Sequence, residues 1–384
     1  MPVSLSRRLA CVLLLGLAAL VPARAEPSRT PMWHYDTAGA IWSPPVVADG
    51  VLYVGSDDRR LHAVDLRQRR ARWTYLTGAA VRSRPLVVGD RVLVAGDDGW
   101  LHAVDRATGR PVWKFDLLSR GLSRRPPSAD HAFYDFLQSS PVSDGTVVYV
   151  GSLAGHLFAV RLADGQAVWK VSTGAELRAT PLLVDGRVVI GGWDGQVYAV
   201  DARSGQVQWT HKAEGIVQGT AAAVDGRVLV GSRAAKLFAL DLATGRPAWT
   251  HTYADGSWIE SAATAAPGRF YVGSSDALKL SAFDAATGRE LWAYATGGWA
   301  WAQPVVSGGT VYIGALSAHP YYMPGVTLRP GFHAVDAETG RVRWTWVPRP
   351  ARGFVTGGVA VAPAVADGVV YVAGVDGRVV ALRE

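Results

Sequence analysis

Chemistry in this chain has to come from a few polar residues that recur at one place in a repeating sequence. The eight positions three residues before a proline, or at the equivalent place, are Trp42, Arg82, Gln138, Arg178, Gln218, Glu260, Trp301 and Ala360. The stretches around them are small and apolar, so the polar and charged members stand out. Two guanidinium groups can hold carboxylates bidentately, and indoles can stack on a planar ring. The set suits a planar polyanion, a carboxylate of a protein partner, or channel water. Calcium is less well served: it takes about six to eight oxygens, and Glu260 is the one acid of the set. No aspartate joins it as a general base. His34, His62, His102, His156 and His333 fall in or beside strand segments, where a hydrogen-bonded structural role is expected. The sequence has no H-x-x-x-H spacing, no Ser-His-Asp signature and no phosphate-binding glycine loop.

The elements that must position these residues are legible between Ser83 and Trp113. An apolar run after Pro85 meets a Gly-Asp turn, Arg91-Val-Leu-Val-Ala meets the turn Asp97-Asp-Gly99, and Trp100-Leu-His-Ala-Val leads through Thr108-Gly109 to a segment carrying Trp113. Apolar runs broken this regularly by turn residues form an antiparallel meander. The fourth-strand tryptophans are Trp33, Trp73, Trp113, Trp169, Trp209, Trp249, Trp292 and Trp344, at spacings of 40, 40, 56, 40, 40, 43 and 52. A third-strand motif of the LHAVD type recurs in phase with them, from 61–65 to 379–383. A period near forty with four strands per unit predicts an all-β, eight-bladed β-propeller of four-stranded antiparallel blades. Trp33 has no strands before it and the last motif has no tryptophan after it. The strand at Met32–Thr37 is therefore expected to complete the C-terminal blade and close the ring.

In Asp105-Arg-Ala-Thr108-Gly109 and its repeats at Asp201, Asp241, Asp284 and Asp336, the carboxylate is expected to staple a turn. The tryptophans are expected to pack blade against blade. Apolar residues at 49% are ample for such a core. Residues 1–25 read as a secretory signal: Arg7-Arg8, an apolar run from Leu9 to Val21, and Ala23-Arg-Ala25. A twin-arginine signal fits the residues after Arg8 poorly. Cys11, the single cysteine, lies in that run, which leaves the remainder without disulfides or thiolate ligands. Without Arg7, Arg8 and Arg24 the net charge falls from +7 to +4, and no basic run is interleaved with aromatics, so nucleic acid is not an expected partner. Residues 26–384 are expected to form one domain, with no membrane span.

Laid out this way, the chain resembles the pyrroloquinoline-quinone (PQQ) repeat family of eight-bladed propellers. The motif runs Ala179-Thr-Pro-Leu-Leu-Val-Asp-Gly186, Val188-Val-Ile-Gly191, Trp193-Asp-Gly195, Val197-Tyr-Ala-Val-Asp201, Ser204-Gly205 and Trp209. The resemblance covers residues 31–384 and implies two kinds of function. One branch comprises quinoprotein dehydrogenases, which hold PQQ and calcium in the central funnel and oxidise alcohols or sugars. The other comprises shorter non-enzymatic propellers such as the outer-membrane assembly factor BamB. In length and layout the chain is closer to the second. It departs from both, lacking the vicinal cysteines of many dehydrogenases and the lipoprotein cysteine of typical BamB proteins.

Strand parity puts the connections from strand four to the next strand one, and from strand two to strand three, on one face. Two insertions, 114–138 and 315–331, fall in these classes. The first carries Arg124, Arg125, His131, Tyr134 and Phe136, and the second Tyr321, Tyr322 and Met323, all expected to bind a partner. The expectation is a periplasmic, non-enzymatic scaffold without cofactor that binds an envelope protein, with outer-membrane protein assembly as the candidate role. The alternative is a PQQ-binding protein or PQQ-dependent dehydrogenase, with or without calcium, using the ring of Trp42, Arg82, Gln138, Arg178, Gln218, Glu260 and Trp301.

Overall fold

A computed structural model describes residues 28–122, 136–320 and 325–384. The expected signal, 1–25, lies outside them, as do parts of both insertions. Eight antiparallel sheets form, each built on four strands that are consecutive except at the closure, and the seventh carries a fifth strand besides. The second and third strands of a blade are covered on both faces by neighbouring blades. They accordingly read as near-continuous apolar runs, as in the fully buried Val51–Gly55. The fourth strands are outermost and alternate after their first residues, Trp249 and His251 of Pro247–Thr252 lying deeper than their neighbours.

The closure is as expected. Trp33–Asp36 pairs antiparallel with Arg378–Arg383, placing Trp33 opposite Ala381 and Asp36 opposite Arg378. The segment before it reaches one blade further: the Arg29 amide donates to the Thr345 carbonyl at 2.9 Å.

The tryptophans clamp blades together in a way that explains a second repeat residue. The indole N–H of Trp169 donates to the Ala202 carbonyl in the next blade at 3.0 Å, and Trp73, Trp113, Trp209, Trp249 and Trp292 do the same one blade on. The glycine of that next turn lies flat against the indole. A Cβ on Gly205 would stand 2.8 Å from the Trp169 ring, and Gly109, Gly165, Gly245, Gly288 and Gly340 are placed alike. Trp344 faces the closure, where the turn is absent, and the Arg29 guanidinium covers its ring at 5.5 Å instead. The turn aspartates are staples: Asp241 Oδ1 accepts from the Thr244 amide and hydroxyl at 2.8 and 2.7 Å.

Two details differ from the sequence reading. Strands Pro111–Asp116 and Thr310–Ala318 run into the segments read as insertions, so the irregular parts are shorter. A third connection, after Val342–Trp346, also belongs to the elaborated face. Its strand Val355–Gly358 pairs with the end of Thr310–Ala318, Leu316 opposite Gly358. Its length is hidden in the gap between the last tryptophan and the chain end, where no further tryptophan marks the period.

Candidate functional site

The first strands are short, as in Val46–Ala48 and Leu86–Val88, and stand around the axis. They enclose a channel cavity of about 640 Å³. All eight ring positions, from Trp42 to Ala360, line it, so the structure brings together the residues singled out from sequence.

What the ring does with its charges depends on a second set of residues, just after the second strands. Arg82 donates through Nε and Nη2 to the two carboxylate oxygens of Asp57, at 2.8 and 2.9 Å, with Asp97 at 3.8 Å. Arg178 donates from Nε and Nη2 to Glu176 at 3.0 and 2.8 Å, and its guanidinium lies 4.6 Å from the centre of the Trp193 ring. Glu260 accepts from Gln218 Nε2 and Arg233 Nε, both at 2.8 Å, and Arg233 also donates to Gln218 Oε1 at 3.2 Å. Trp193 and Trp258 flank the Arg233 guanidinium at 5.5 and 5.0 Å. Burial raises the Glu260 carboxyl above its ordinary range, against the pull of Arg233. Trp301 donates its indole N–H to Ser275 at 3.1 Å. Asp57, Asp97, Trp193, Arg233 and Ser275 occupy one phase of the repeat, directly after the second strand. Sequence reasoning missed this ring, although reading that phase across the blades would have found it.

Aromatic residues bridge the mouth on the elaborated face. Trp299 and Trp301 stack at 4.5 Å and 7°, and Phe136 stacks on Trp301 at 4.9 Å and 9°. Trp42 leans on Phe136 at 5.4 Å. Phe136 precedes the third blade, whereas Trp42 opens the first and Trp301 the seventh, so the ring reaches across the axis. Phe136 was expected on a partner-binding rim; it is 2% exposed and packs inside this stack. The remaining expected partner residues, Arg124, Arg125, His131, Tyr134, Tyr321, Tyr322 and Met323, lie outside the described residues.

The histidines form relays that resemble acid–base machinery. Tyr35 meets His62 Nδ1 at 3.0 Å and His62 Nε2 meets Asp58 at 2.9 Å. Tyr75, His102 and Asp98 repeat this one blade later. With the proton on Nε2, the ring donates to the carboxylate and accepts from the phenol. Burial pushes His62 below its ordinary value, against Asp58. The two imidazoles are buried and none of these groups lines the channel, so they act as connectors between blades. His333 keeps the tyrosine, Tyr294 at 3.0 Å, but the residue four positions before it in sequence is Arg329 in place of an aspartate. Burial drives its pKa down to about 4.

Among the described residues no group of three or more His, Cys, Asp or Glu is placed to hold a metal ion. The channel does not fit a calcium-held quinone. Its two ring arginines are already engaged by the chain's own carboxylates, and its one ring acid faces Arg233. No helix among the described residues is long and apolar enough to cross a membrane.

Comparison with known proteins agrees with the architecture. The family model described as outer membrane protein assembly factor BamB matches residues 18–116, 97–262 and 255–384. No curated protein sequence matches. Among solved structures, BamB from Moraxella catarrhalis is 17% identical, with 91% of this chain and 85% of that one covered and a TM-score of 0.59. The computationally designed Ika8 protein is 16% identical, with 94% and 99% covered and a TM-score of 0.69. A quinohemoprotein alcohol dehydrogenase from Comamonas testosteroni is 15% identical, with 92% and 76% covered and a TM-score of 0.70. At these identities the likeness is one of fold.

Proposed function

We propose, starting from the chain's membership of the PQQ-repeat family described as outer membrane protein assembly factor BamB, that it is a periplasmic scaffold acting in outer-membrane protein assembly. The observation that carries this reading is the one-sided elaboration of the ring. Connections of two classes, including the paired Thr310–Ala318 and Val355–Gly358, extend from a single face, while the turns on the opposite face are tight. Long loops held by a rigid scaffold present a recognition surface. The internal pairing of Arg82 and Arg178 supports binding over quinone catalysis, because an incoming tricarboxylate would have to displace Asp57 and Glu176.

The test is cross-linking in cell envelopes, with wild type compared against chains shortened within 119–134 or 320–328. Loss of a cross-linked envelope protein on shortening is expected, with the ring still folded by circular dichroism. An unchanged cross-linking pattern in both variants overturns the assignment of this face. Calcium-dependent PQQ binding that disappears in Arg82→Ala would favour the dehydrogenase reading instead.

A further inference from the structure

One cation in the channel differs from all those above. Arg84 lies two residues after Arg82, in the segment that leads from the elaborated face into the first strand of the second blade, Leu86–Val88. The equivalent residues in the other blades are Pro44, Ser140, Thr180, Thr220, Ala262, Gln303 and Ala362, so Arg84 is the sole charge in that layer. All eight line the cavity. The Arg84 side chain makes no ion pair or hydrogen bond with the described residues; only its backbone amide is engaged, donating to Ser140 Oγ at 2.9 Å.

Its surroundings explain how an accessible arginine can also be desolvated. The side chain is exposed to the lumen, yet the surrounding channel wall desolvates it and lowers its proton affinity, with no acidic neighbour contributing. A guanidinium stays protonated under such conditions, so the cost appears as demand for a counter-anion. Elsewhere in the channel that demand is met internally, by Asp57 for Arg82, Glu176 for Arg178 and Glu260 for Arg233. Around Arg84 the wall is apolar, with Pro85, Pro141, Pro181 and Ala221 facing the same space. The Ser140 and Thr180 hydroxyls add polarity at the level of the cation, Thr180 accepting from the Ser140 amide at 3.2 Å. A cavity of about 640 Å³ is in the size range of small-molecule sites, and a planar fork against an apolar wall matches a carboxylate carried on a small hydrophobic body.

We infer that the axial channel is a binding site for a small organic acid, whose carboxylate pairs with Arg84 and whose apolar part lies against the proline-lined wall. The site is separate from the elaborated face, so it stands or falls apart from the scaffold reading.

Calorimetric titration of the folded chain with benzoate, and separately with inorganic phosphate, tests it. Benzoate is expected to bind one-to-one and to raise the unfolding temperature. Arg84→Gln should weaken it at least tenfold, while Arg84→Lys, which keeps the charge but loses the fork, should weaken it less. Circular dichroism and an unchanged unfolding midpoint without ligand show that Arg84→Gln still folds. Equal benzoate binding by wild type and Arg84→Gln, or none by wild type at millimolar concentration, overturns the inference. Phosphate binding without benzoate binding overturns the organic-acid assignment. Loss of the cross-linked partner on loop shortening, with benzoate binding intact, would separate this site from the scaffold role.

Discussion

The outer wall of the ring and its axial lining are built on opposite plans. On the wall, one device recurs from blade to blade: an indole donates to a carbonyl of the next blade and rests on that blade's turn glycine. In the channel no device recurs. Arg82 pairs with an aspartate, Arg178 with a glutamate and a tryptophan, Glu260 with an arginine and a glutamine, and Trp301 with a serine and a phenylalanine. Uniform spacing between blades demands a uniform clamp, because a change in one interface would have to be absorbed by all the others. The axis carries no such demand, so its residues are free to serve a ligand or one another.

The largest effect should come from breaking a channel pairing that is internally balanced. Arg233→Met leaves Glu260 buried without its cation and is expected to cost about 3–5 kcal/mol, read by urea denaturation. The double variant Arg233→Met with Glu260→Met should recover most of that. An equally severe double variant would show that the network is needed for packing and not only for charge balance.

His333 sharpens the comparison from the other side, as a repeat position that has lost a repeat partner. Its folded pKa of about 4 lies below the ordinary 6.5, so its neutral form is favoured by folding. That contribution is complete above pH 6.5 and disappears as the pH falls through 4, a span worth about 3 kcal/mol. Urea midpoints at pH 7 and pH 4.5 should therefore differ more in wild type than in His333→Gln. Parallel pH dependences in the two would exclude this histidine as the source.

Two glycines separate the clamp from ordinary turn strain. Gly226 has φ of +70° with nothing within 4 Å of where an added methyl group would stand, so Gly226→Ala should cost about 1 kcal/mol from backbone strain alone. Gly205 has φ of +75° and lies under Trp169, and Gly205→Ala should cost about 2–4 kcal/mol by adding a forced separation of two blades. Equal costs would mean that the indole yields freely. The smallest effect belongs to Arg84→Gln, expected to change stability by less than about 0.5 kcal/mol because no pairing is lost.

The contrast also explains what could be read from the chain. Trp169, Gly205 and Asp201 recur at fixed spacing, so the blade count, the turns and the closing strand were all legible from the repeat alone. The ring of Arg82, Arg178 and Glu260 was legible as a recurring position, but their inward direction was not, because all three precede the strands whose pleat would fix it. Their partners were missed: Asp57 and Arg233 share one phase of the repeat, but its residue type changes from blade to blade, and Glu176 comes from a different connection. Phe136 was misplaced for a related reason. An aromatic residue in a long loop looks the same in sequence whether it faces solvent or, as here, lies between Trp301 and Trp42.

The closing strand has a consequence for how the chain is made. Thr37 Oγ1 donates to the Gly377 carbonyl across 340 residues, so the strand that opens the ring waits for the blade that closes it. Loop-closure entropy grows only slowly with length, and the equilibrium penalty is modest. The kinetic exposure is greater: until Arg378–Arg383 has been made and has folded against it, Trp33–Asp36 is an open edge. Two chains finishing side by side could each complete the other's last blade, giving an exchanged dimer with every native contact preserved. Dilution during refolding would then govern the yield of single rings, and a covalent link between the first strand and its neighbour would remove that dependence.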